Sequence, residues 1–240
     1  MRIVVTNCNT TQEMTEEIVR GARAAAGPGT TVTGLTPAWG PESAEGWLDS
    51  YLSAAAVLDT LRSYEGPCDA VVMAGFGEHG REGARELLEV PVVDITEAAA
   101  HVACLLGHKY SVVTTLDRAV PLIEDRLKLA GLDARCASVR SSGLSVLELE
   151  QDPRATVQII AAEAERAVRE DKAEVICLGC GGMAGLDEAV RARTGVPVVD
   201  GVTAAVKLAE SLVALGLSTS KIRTYAPPRP KRVVGWPLTR

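Results

Sequence analysis

The sequence is poor in aromatic residues, in cysteine and in long apolar runs. Only eight of its 240 residues are Phe, Trp or Tyr, although 47% are hydrophobic, so the core is expected to consist of Val, Leu, Ile and Ala. Such a core is typical of buried parallel strands and the helices that cover them. Six cysteines are too few for a disulfide scaffold. No apolar run approaches the roughly 20 residues of a transmembrane helix.

Positive charge is also scarce. The formal net charge is −6, which argues against a nucleic-acid groove. The residues after Ser218 are the exception, because they hold six Lys and Arg, four prolines and no acid. We expect this tail to be an extended arm that packs on the acidic body or on a neighbouring subunit. The first residues, Met1–Asn7, lead directly into a strand without a signal peptide, so we expect a cytoplasmic protein with neither a membrane nor a nucleic-acid partner.

The chain repeats itself. Val90-Pro91-Val92-Val93-Asp94 recurs as Val196-Pro197-Val198-Val199-Asp200, 106 positions later. Two further pairs of segments follow in the same order at nearly the same offset: Ile3–Asn7 with Ser111–Thr115, and Ala70–Gly77 with Val175–Gly182. The repeats predict two homologous halves, near residues 1–106 and 108–217.

Short β-branched runs alternate with helical patterns in each half. Thr10-Thr11-Gln12-Glu13 reads as a capping box that opens the first helix. The alternation predicts an α/β protein with two pseudo-symmetric, doubly wound parallel-sheet (flavodoxin-like) domains. We expect residues 1–98, joined by about 206–240, to form the first domain and residues 99–205 the second. Ligands of such sheets bind at the carboxyl ends of the strands, so we expect the active site in the cleft between the domains.

Four loops at predicted strand ends combine glycine with uncharged polar residues. Each precedes a helix, whose N-terminal N–H groups favour an anion. None has the spacing of a phosphate or dinucleotide loop, so an enolate or a carboxylate fits better than a triphosphate. The loops are Thr6–Thr11, Gly75–Gly80, Thr114–Asp117 and Gly179–Met183.

Cys180 is the strongest candidate for chemistry. It lies between two glycines at a strand end and before a helix, a position that favours an exposed thiolate. Cys177 is expected inside the strand, and no second pair of cysteines accompanies the two as zinc would require. Cys8 is a possible lining residue of the pocket. His79 is expected on the surface or behind the site.

Five motifs, in order along residues 1–225, resemble the hydantoin racemase branch of the aspartate/glutamate racemase superfamily. This resemblance implies an isomerase without cofactor or metal that racemises 5-substituted hydantoins, or allantoin in a sister group. It implies two cysteines, one in each half, on opposite faces of the stereocentre. We also expect a homo-oligomer, since the basic tail suits an arm between subunits. The motifs are Asn7–Thr11, Gly40–Glu45, Leu105–Leu116, Leu178–Met183 and Val198–Val202.

The resemblance implies that Cys180 is the acid/base on one face of C5. The first-half cysteine of the family falls at Gly75, which therefore marks the position of a missing second base. The remaining site residues are expected to hold the ring carbonyls and the enolate: Asn7, Asn9, Phe76, Gly77, Thr114, Thr115, Gly181 and Gly182.

Gly75 leaves three interpretations open. The chain is an altered form of a two-cysteine enzyme, or His79 or a water beside Gly75 supplies the second acid, or the chain is a one-cysteine relative. Arylmalonate decarboxylases, which resemble it in this respect, have glycine at this place and keep the second-half cysteine. A two-lobed binder of a small metabolite is the non-enzymatic alternative. The other motifs favour a hydantoin racemase.

Overall fold

The structure is a computed structural model that describes residues 1–234; Pro237 and Arg240 of the basic tail lie outside the described residues. It contains two four-stranded parallel sheets with the same strand order, β2-β1-β3-β4 and β6-β5-β7-β8. This confirms the prediction of two pseudo-symmetric doubly wound sheets. The strands are β1 (Arg2–Thr6), β2 (Thr31–Leu35), β3 (Ala70–Met73), β4 (Val92–Asp94), β5 (Tyr110–Thr114), β6 (Cys136–Ser141), β7 (Val175–Leu178) and β8 (Val198–Asp200).

Helices cover both faces of each sheet. The central strands β3, β5 and β7 are buried along their whole length, which explains their continuous apolar sequences. Among residues 1–234, no helix is both long enough and apolar enough to cross a bilayer. The helices are α1 (Gln12–Ala25), α2 (Trp47–Ser63), α3 (Arg81–Leu87), α4 (Ile95–Leu106), α5 (Val120–Leu129), α6 (Pro153–Glu170), α7 (Asp187–Thr194) and α8 (Gly201–Ala214).

The last helix of each half packs on the sheet of the other half. Helix α4 follows β4 of the first sheet but packs against β7 and β8 of the second, whereas α8 follows β8 and packs against β3 and α1. The two helices also pack against each other. A Cβ at Gly201 would lie 2.8 Å from the carbonyl oxygen of Ile95, so their first turns are in direct contact. This exchange favours the expected boundaries near residues 98 and 205, which stay a prediction.

The basic tail returns to the first half of its own chain. The hydroxyl of Thr219 donates to the carbonyl of Val90 at 2.7 Å. The ammonium of Lys221 donates to the carbonyls of Arg85, Glu86 and Leu88 at 2.9, 2.8 and 3.2 Å. These carbonyls lie at the C-terminal end of α3, where a cation is favourable. The first part of the tail therefore lies against the chain's own first half, and a 3-10 turn follows at Arg223–Tyr225.

The start of α1 differs from the sequence expectation. Thr11 precedes the helix, but no side chain caps it. The Thr11 hydroxyl donates instead to the carbonyl of Glu42 at 2.7 Å. The predicted capping box is therefore wrong: Thr11, and not Thr10, directly precedes the helix. The hydroxyl of Thr10, the threonine of the predicted box, donates instead to the carbonyl of Pro41 at 3.4 Å.

Candidate active site

A narrow cavity lies between the two halves, at the carboxyl ends of four strands. The loops after β1 and β3 form its first-half wall, and the loops after β5 and β7 form its second-half wall. The cavity volume is about 30 Å³. The lining residues are Asn7, Cys8, Asn9, Met14, Ala44, Ala74, Gly75, Phe76, His79, Thr114, Thr115, Ala119, Val146, Gly179, Cys180 and Gly181.

The lining of the cavity mixes polar and apolar residues and carries no permanent charge. No Asp, Glu, Lys or Arg of the described chain belongs to its lining, and its titratable side chains are Cys8, His79 and Cys180. Residues 1–234 contain no group of three or more His, Cys, Asp or Glu side chains placed to hold a metal ion. The predicted charge-poor character of the loops is thus a property of the assembled site.

Cys180 lies where the two halves meet. It follows β7, is half-buried, and precedes a 3-10 turn, Gly181–Met183. A Cβ at Gly181 would lie 2.7 Å from the carbonyl oxygen of Ala74. Glycine at this position therefore lets the turn touch the end of the first-half strand next to Gly75. Cys177 is fully buried inside β7, as predicted, and burial raises the pKa of its thiol well above the ordinary value.

The space beside Gly75 is occupied. A Cβ at this position would lie 2.1 Å from Cδ2 of His79 and 2.8 Å from the Cβ of Cys8. His79 is 7% exposed, so the expectation of a residue on the surface or behind the site is wrong: the imidazole lines the cavity. Burial lowers the pKa of His79 to about 4, which keeps the ring neutral at pH 7.

Cys8 faces the cavity from the first half, as anticipated for a lining residue. Burial raises the pKa of its thiol to about 12, and the nearby Cys180 contributes to the increase. The thiol is therefore protonated at neutral pH. The amide oxygen of Asn7 accepts a hydrogen bond from the Cys8 N–H at 2.7 Å and so fixes the backbone that carries it.

Asn7 and Asn9 line the cavity, but their amides bind the loop itself. Asn7 Nδ2 donates to Asn9 Oδ1 at 2.8 Å and to the Thr15 hydroxyl at 3.1 Å. Asn9 Oδ1 also accepts from the Thr11 N–H at 3.0 Å. These contacts satisfy much of the hydrogen-bonding capacity of both amides, so the two residues shape the wall more than they offer free donors.

Two of the expected binding glycines lie outside the lining. The Gly77 N–H donates to the Thr96 hydroxyl at 2.8 Å, so it cannot hold a substrate carbonyl. Its φ of +119° explains why glycine stands there. Gly182 is likewise absent from the wall. The Gly77 N–H is thus committed to the protein, whereas direct contact between Gly182 and the substrate stays a prediction.

At least three donors of the lining are available to a ligand. Within residues 1–234, the N–H groups of Phe76 and Gly181 and the hydroxyl of Thr115 have no protein hydrogen-bond partner. Thr115 is nearly fully buried, so its hydroxyl can be satisfied only from the cavity. The hydroxyl of Thr114, in contrast, donates to the Gly179 carbonyl at 3.0 Å and ties β5 to the end of β7.

A buried ion-pair network behind the first-half wall was missed at the sequence level. Arg126 of α5 is 3% exposed and pairs with Glu78 and Glu82 of the other half. Its Nε lies 4.0 Å from Asp94, which also pairs with the buried Arg81 at 3.1 Å. One signal was present, since Arg126 lies four residues after Leu122 on the apolar face of its helix.

Comparison with known proteins finds relatives that match nearly the whole chain. Residues 3–209 match the family model described as Asp/Glu/Hydantoin racemase. The chain is 41% identical to a hydantoin racemase from Pseudomonas sp., over 98% of this chain and 95% of the relative. It is 42% identical to one from Rhizobium meliloti, over 98% of each.

Solved structures of similar proteins point to the same family. An allantoin racemase from Pseudomonas fluorescens is 71% identical and has a TM-score of 0.96, over 98% of this chain and 100% of that chain. Unliganded arylmalonate decarboxylase, at 21% identity and a TM-score of 0.58 over 88% and 92%, shares the fold alone. The chain therefore belongs to the Asp/Glu/hydantoin racemase family, and it is a racemase, an isomerase.

Proposed function

We propose that the protein racemises 5-substituted hydantoins at C5 and that allantoin, the 5-ureido member of this class, is its preferred substrate. The observation that carries the proposal is the narrow, uncharged cavity in which the Cys180 thiol lies between two glycines. The identity of 71% to an allantoin racemase supports the choice within the class.

A hydantoin suits the hydrogen-bonding groups of the cavity. Its ring is neutral, so it needs no buried counter-ion, and its carbonyls accept from the free donors of Phe76, Thr115 and Gly181. The C4 carbonyl acidifies C5–H, and when the proton leaves, the electron pair moves onto the carbonyl oxygen. Fixed N–H and hydroxyl donors stabilise that developing negative charge without the reorganisation that water would need.

Racemisation requires proton carriers on opposite faces of C5. In one direction the Cys180 thiolate takes the C5 proton, and a protonated group of the first-half wall returns a proton to the other face. Gly75 offers no such group, so the second carrier is a titratable side chain near it in the wall, Cys8 or His79. Each well-placed acid or base contributes about 10²- to 10⁴-fold in rate.

The composition of the wall favours a small, polar C5 substituent. Phe76 is the aromatic residue of the lining. Trp47 and Tyr51 lie together on the exposed face of α2, away from the cavity wall. The small volume of the cavity leaves little room for a large aromatic substituent, whereas a compact ureido group can hydrogen-bond to the polar loops.

To test this, each enantiomer of allantoin and of 5-benzylhydantoin is incubated with the enzyme in deuterium oxide. Optical rotation and deuterium incorporation at C5 are measured and compared with a blank without enzyme. We expect loss of rotation with deuterium incorporation, faster for allantoin. Cys180→Ser should abolish it, whereas Cys68→Ser, outside the cavity, should not. If no hydantoin exchanges above the blank while an arylmalonate releases carbon dioxide, the one-cysteine decarboxylase is the correct assignment. The uncharged lining argues against that outcome, because a malonate dianion would be buried without a cation.

A further inference from the structure

The repeated pentapeptide ends in two aspartates that the proposed reaction does not use. In the sheet registers, Asp94 pairs with Met73 and Asp200 pairs with Leu178. Met73 and Leu178 are the last residues of β3 and β7, so each aspartate stands beside a strand that leads into the cavity wall. Asp200 therefore lies next to the turn that begins at Cys180, and Asp94 lies next to the loop that begins at Gly75.

The Asp200 carboxylate joins a helix to the Cys180 turn. Its Oδ1 accepts from the Val202 and Thr203 N–H groups at 2.7 and 3.3 Å, which caps α8. Its Oδ2 accepts from the Gly185 N–H at 3.0 Å. Gly185 ends the turn that begins at Cys180 and has a φ of +83°. One side chain therefore holds both the start of α8 and the far end of the turn.

Asp94 makes the equivalent connection in the first half. Its Oδ1 accepts from the Glu97 N–H at 2.7 Å and caps α4. Its Oδ2 accepts from Nη1 of Arg81 at 3.1 Å, and Arg81 directly follows the loop Gly75–Gly80. In each half, one oxygen caps the exchanged helix and the other holds the loop from the neighbouring strand.

Burial raises the pKa of both aspartates. Asp94 has the guanidinium of Arg81 to offset this cost, but Asp200 forms no ion pair within residues 1–234. Its charge is balanced by the three N–H groups alone. A helix cap needs one acceptor oxygen, so capping does not account for the second oxygen of a buried, unpaired carboxylate.

We infer that Asp200 is a positioning residue for Cys180: through the Gly185 N–H, its second carboxylate oxygen fixes the turn that aims the thiol at the first-half wall. Asp94 holds the opposite loop through Arg81. The duplicated aspartate thus fixes the two sides of the cavity relative to α4 and α8, whose first turns touch at Gly201 and Ile95.

The experiment distinguishes the roles of the two carboxylate oxygens of Asp200. Asp200→Ser keeps a side-chain oxygen that can cap α8 but loses the acceptor for Gly185. Asp152→Ser is the matched control, because Asp152 caps α6 in the same way, with 3.1 Å bonds from the N–H groups of Arg154 and Ala155, on an exposed surface. Asp200→Asn is the second variant if the serine variant does not fold, since its amide nitrogen cannot accept from Gly185.

Two readouts are taken. The first is the rate at which iodoacetamide alkylates Cys180, followed by mass spectrometry of its peptide and needing no substrate. The second is kcat and KM for racemisation, the readout that rests on the proposed function. We expect Asp200→Ser to change the alkylation rate severalfold and to lower kcat about tenfold with KM within about twofold, as the loss of one hydrogen bond to a charged group predicts. Asp152→Ser should leave all three unchanged.

The inference is overturned if folded Asp200→Ser protein alkylates at the wild-type rate, or if its kcat is unchanged despite altered alkylation. Failure of the proposed function looks different. In that case the wild-type protein itself does not racemise hydantoins, while the alkylation rates still decide whether Asp200 positions Cys180.

Discussion

The imidazole of His79 fills the space beside Gly75, where a Cβ would lie 2.1 Å from Cδ2 of the ring. The sequence comparison between the halves treats position 75 as the place of an absent thiol. In the folded protein that place is taken by the first-half loop itself. A cysteine introduced there must displace His79 and press on Cys8.

Gly75→Ala is therefore expected to destabilise the fold, by about 1–3 kcal/mol, the usual cost of overpacking a tight core. Urea unfolding measures it. Gly21→Ala is the matched control, since the new Cβ meets only Ala184 at 3.5 Å and lies inside α1, where alanine is favoured by up to about 1 kcal/mol. Gly75→Ala with wild-type stability would contradict the close packing of His79.

The stability of the protein should decrease in mild acid because of His79. Its pKa is lowered to about 4 in the folded state from an ordinary 6.5, so the unfolded chain takes up the proton first as pH falls. The free energy of unfolding should decline between pH 6.5 and 4, by about 3 kcal/mol in all from this group.

His79→Asn should flatten that part of the pH profile of urea unfolding. His101→Asn, on the exposed face of α4, should leave the wild-type slope. If the His79 variant keeps the full acid dependence, the imidazole is not the group responsible.

Arg126→Met should lower the free energy of unfolding by about 3–5 kcal/mol, because it leaves Glu78 without a buried cation. It also removes one of the two buried cations that Glu82 and Asp94 contact, since only Arg81 remains for them. Arg193→Met is the comparison. Arg193 pairs with Glu165 on the surface, and its loss should cost less than about 1 kcal/mol. Similar losses in the two variants would mean that the buried network contributes no more than a surface pair.

Thr115→Val and Thr114→Val should differ in their effects on activity and stability, although the two residues are neighbours and the substitution is the same. Thr115 offers a free hydroxyl to the cavity, so its valine variant should lose about tenfold in kcat/KM with unchanged thermal stability. Thr114 bonds the Gly179 carbonyl, so its variant should lose about 1–3 kcal/mol of stability. Kinetics and thermal unfolding of both variants check this, and equal kinetic losses would contradict it.

Sequence reasoning reached the features that repeat or that follow strand ends. The duplicated segments predicted two sheets with equivalent strands, and parallel-sheet geometry placed Phe76, Thr115, Cys180 and Gly181 at one cleft. These placements could be predicted because the local pattern of apolar residues indicates which segments are buried strands and in which direction they run.

The missed features depend on partners distant in the chain. The Gly77 N–H is taken by Thr96, and the Thr11 hydroxyl by the carbonyl of Glu42. Arg126 reaches from one half to carboxylates of the other. Local periodicity predicts that such residues are buried or lie at a turn, but it does not predict which group they meet.

The exchange of α4 and α8 has a consequence for the origin of the chain. One half made alone would carry its last helix away from its own sheet and would leave a sheet face bare. Two such copies would complete each other by trading that helix, as a domain-swapped homodimer with twofold symmetry. Joining the copies in tandem would preserve the swap within one polypeptide and let the two sides of the cleft differ, as cysteine at position 180 and glycine at position 75 do.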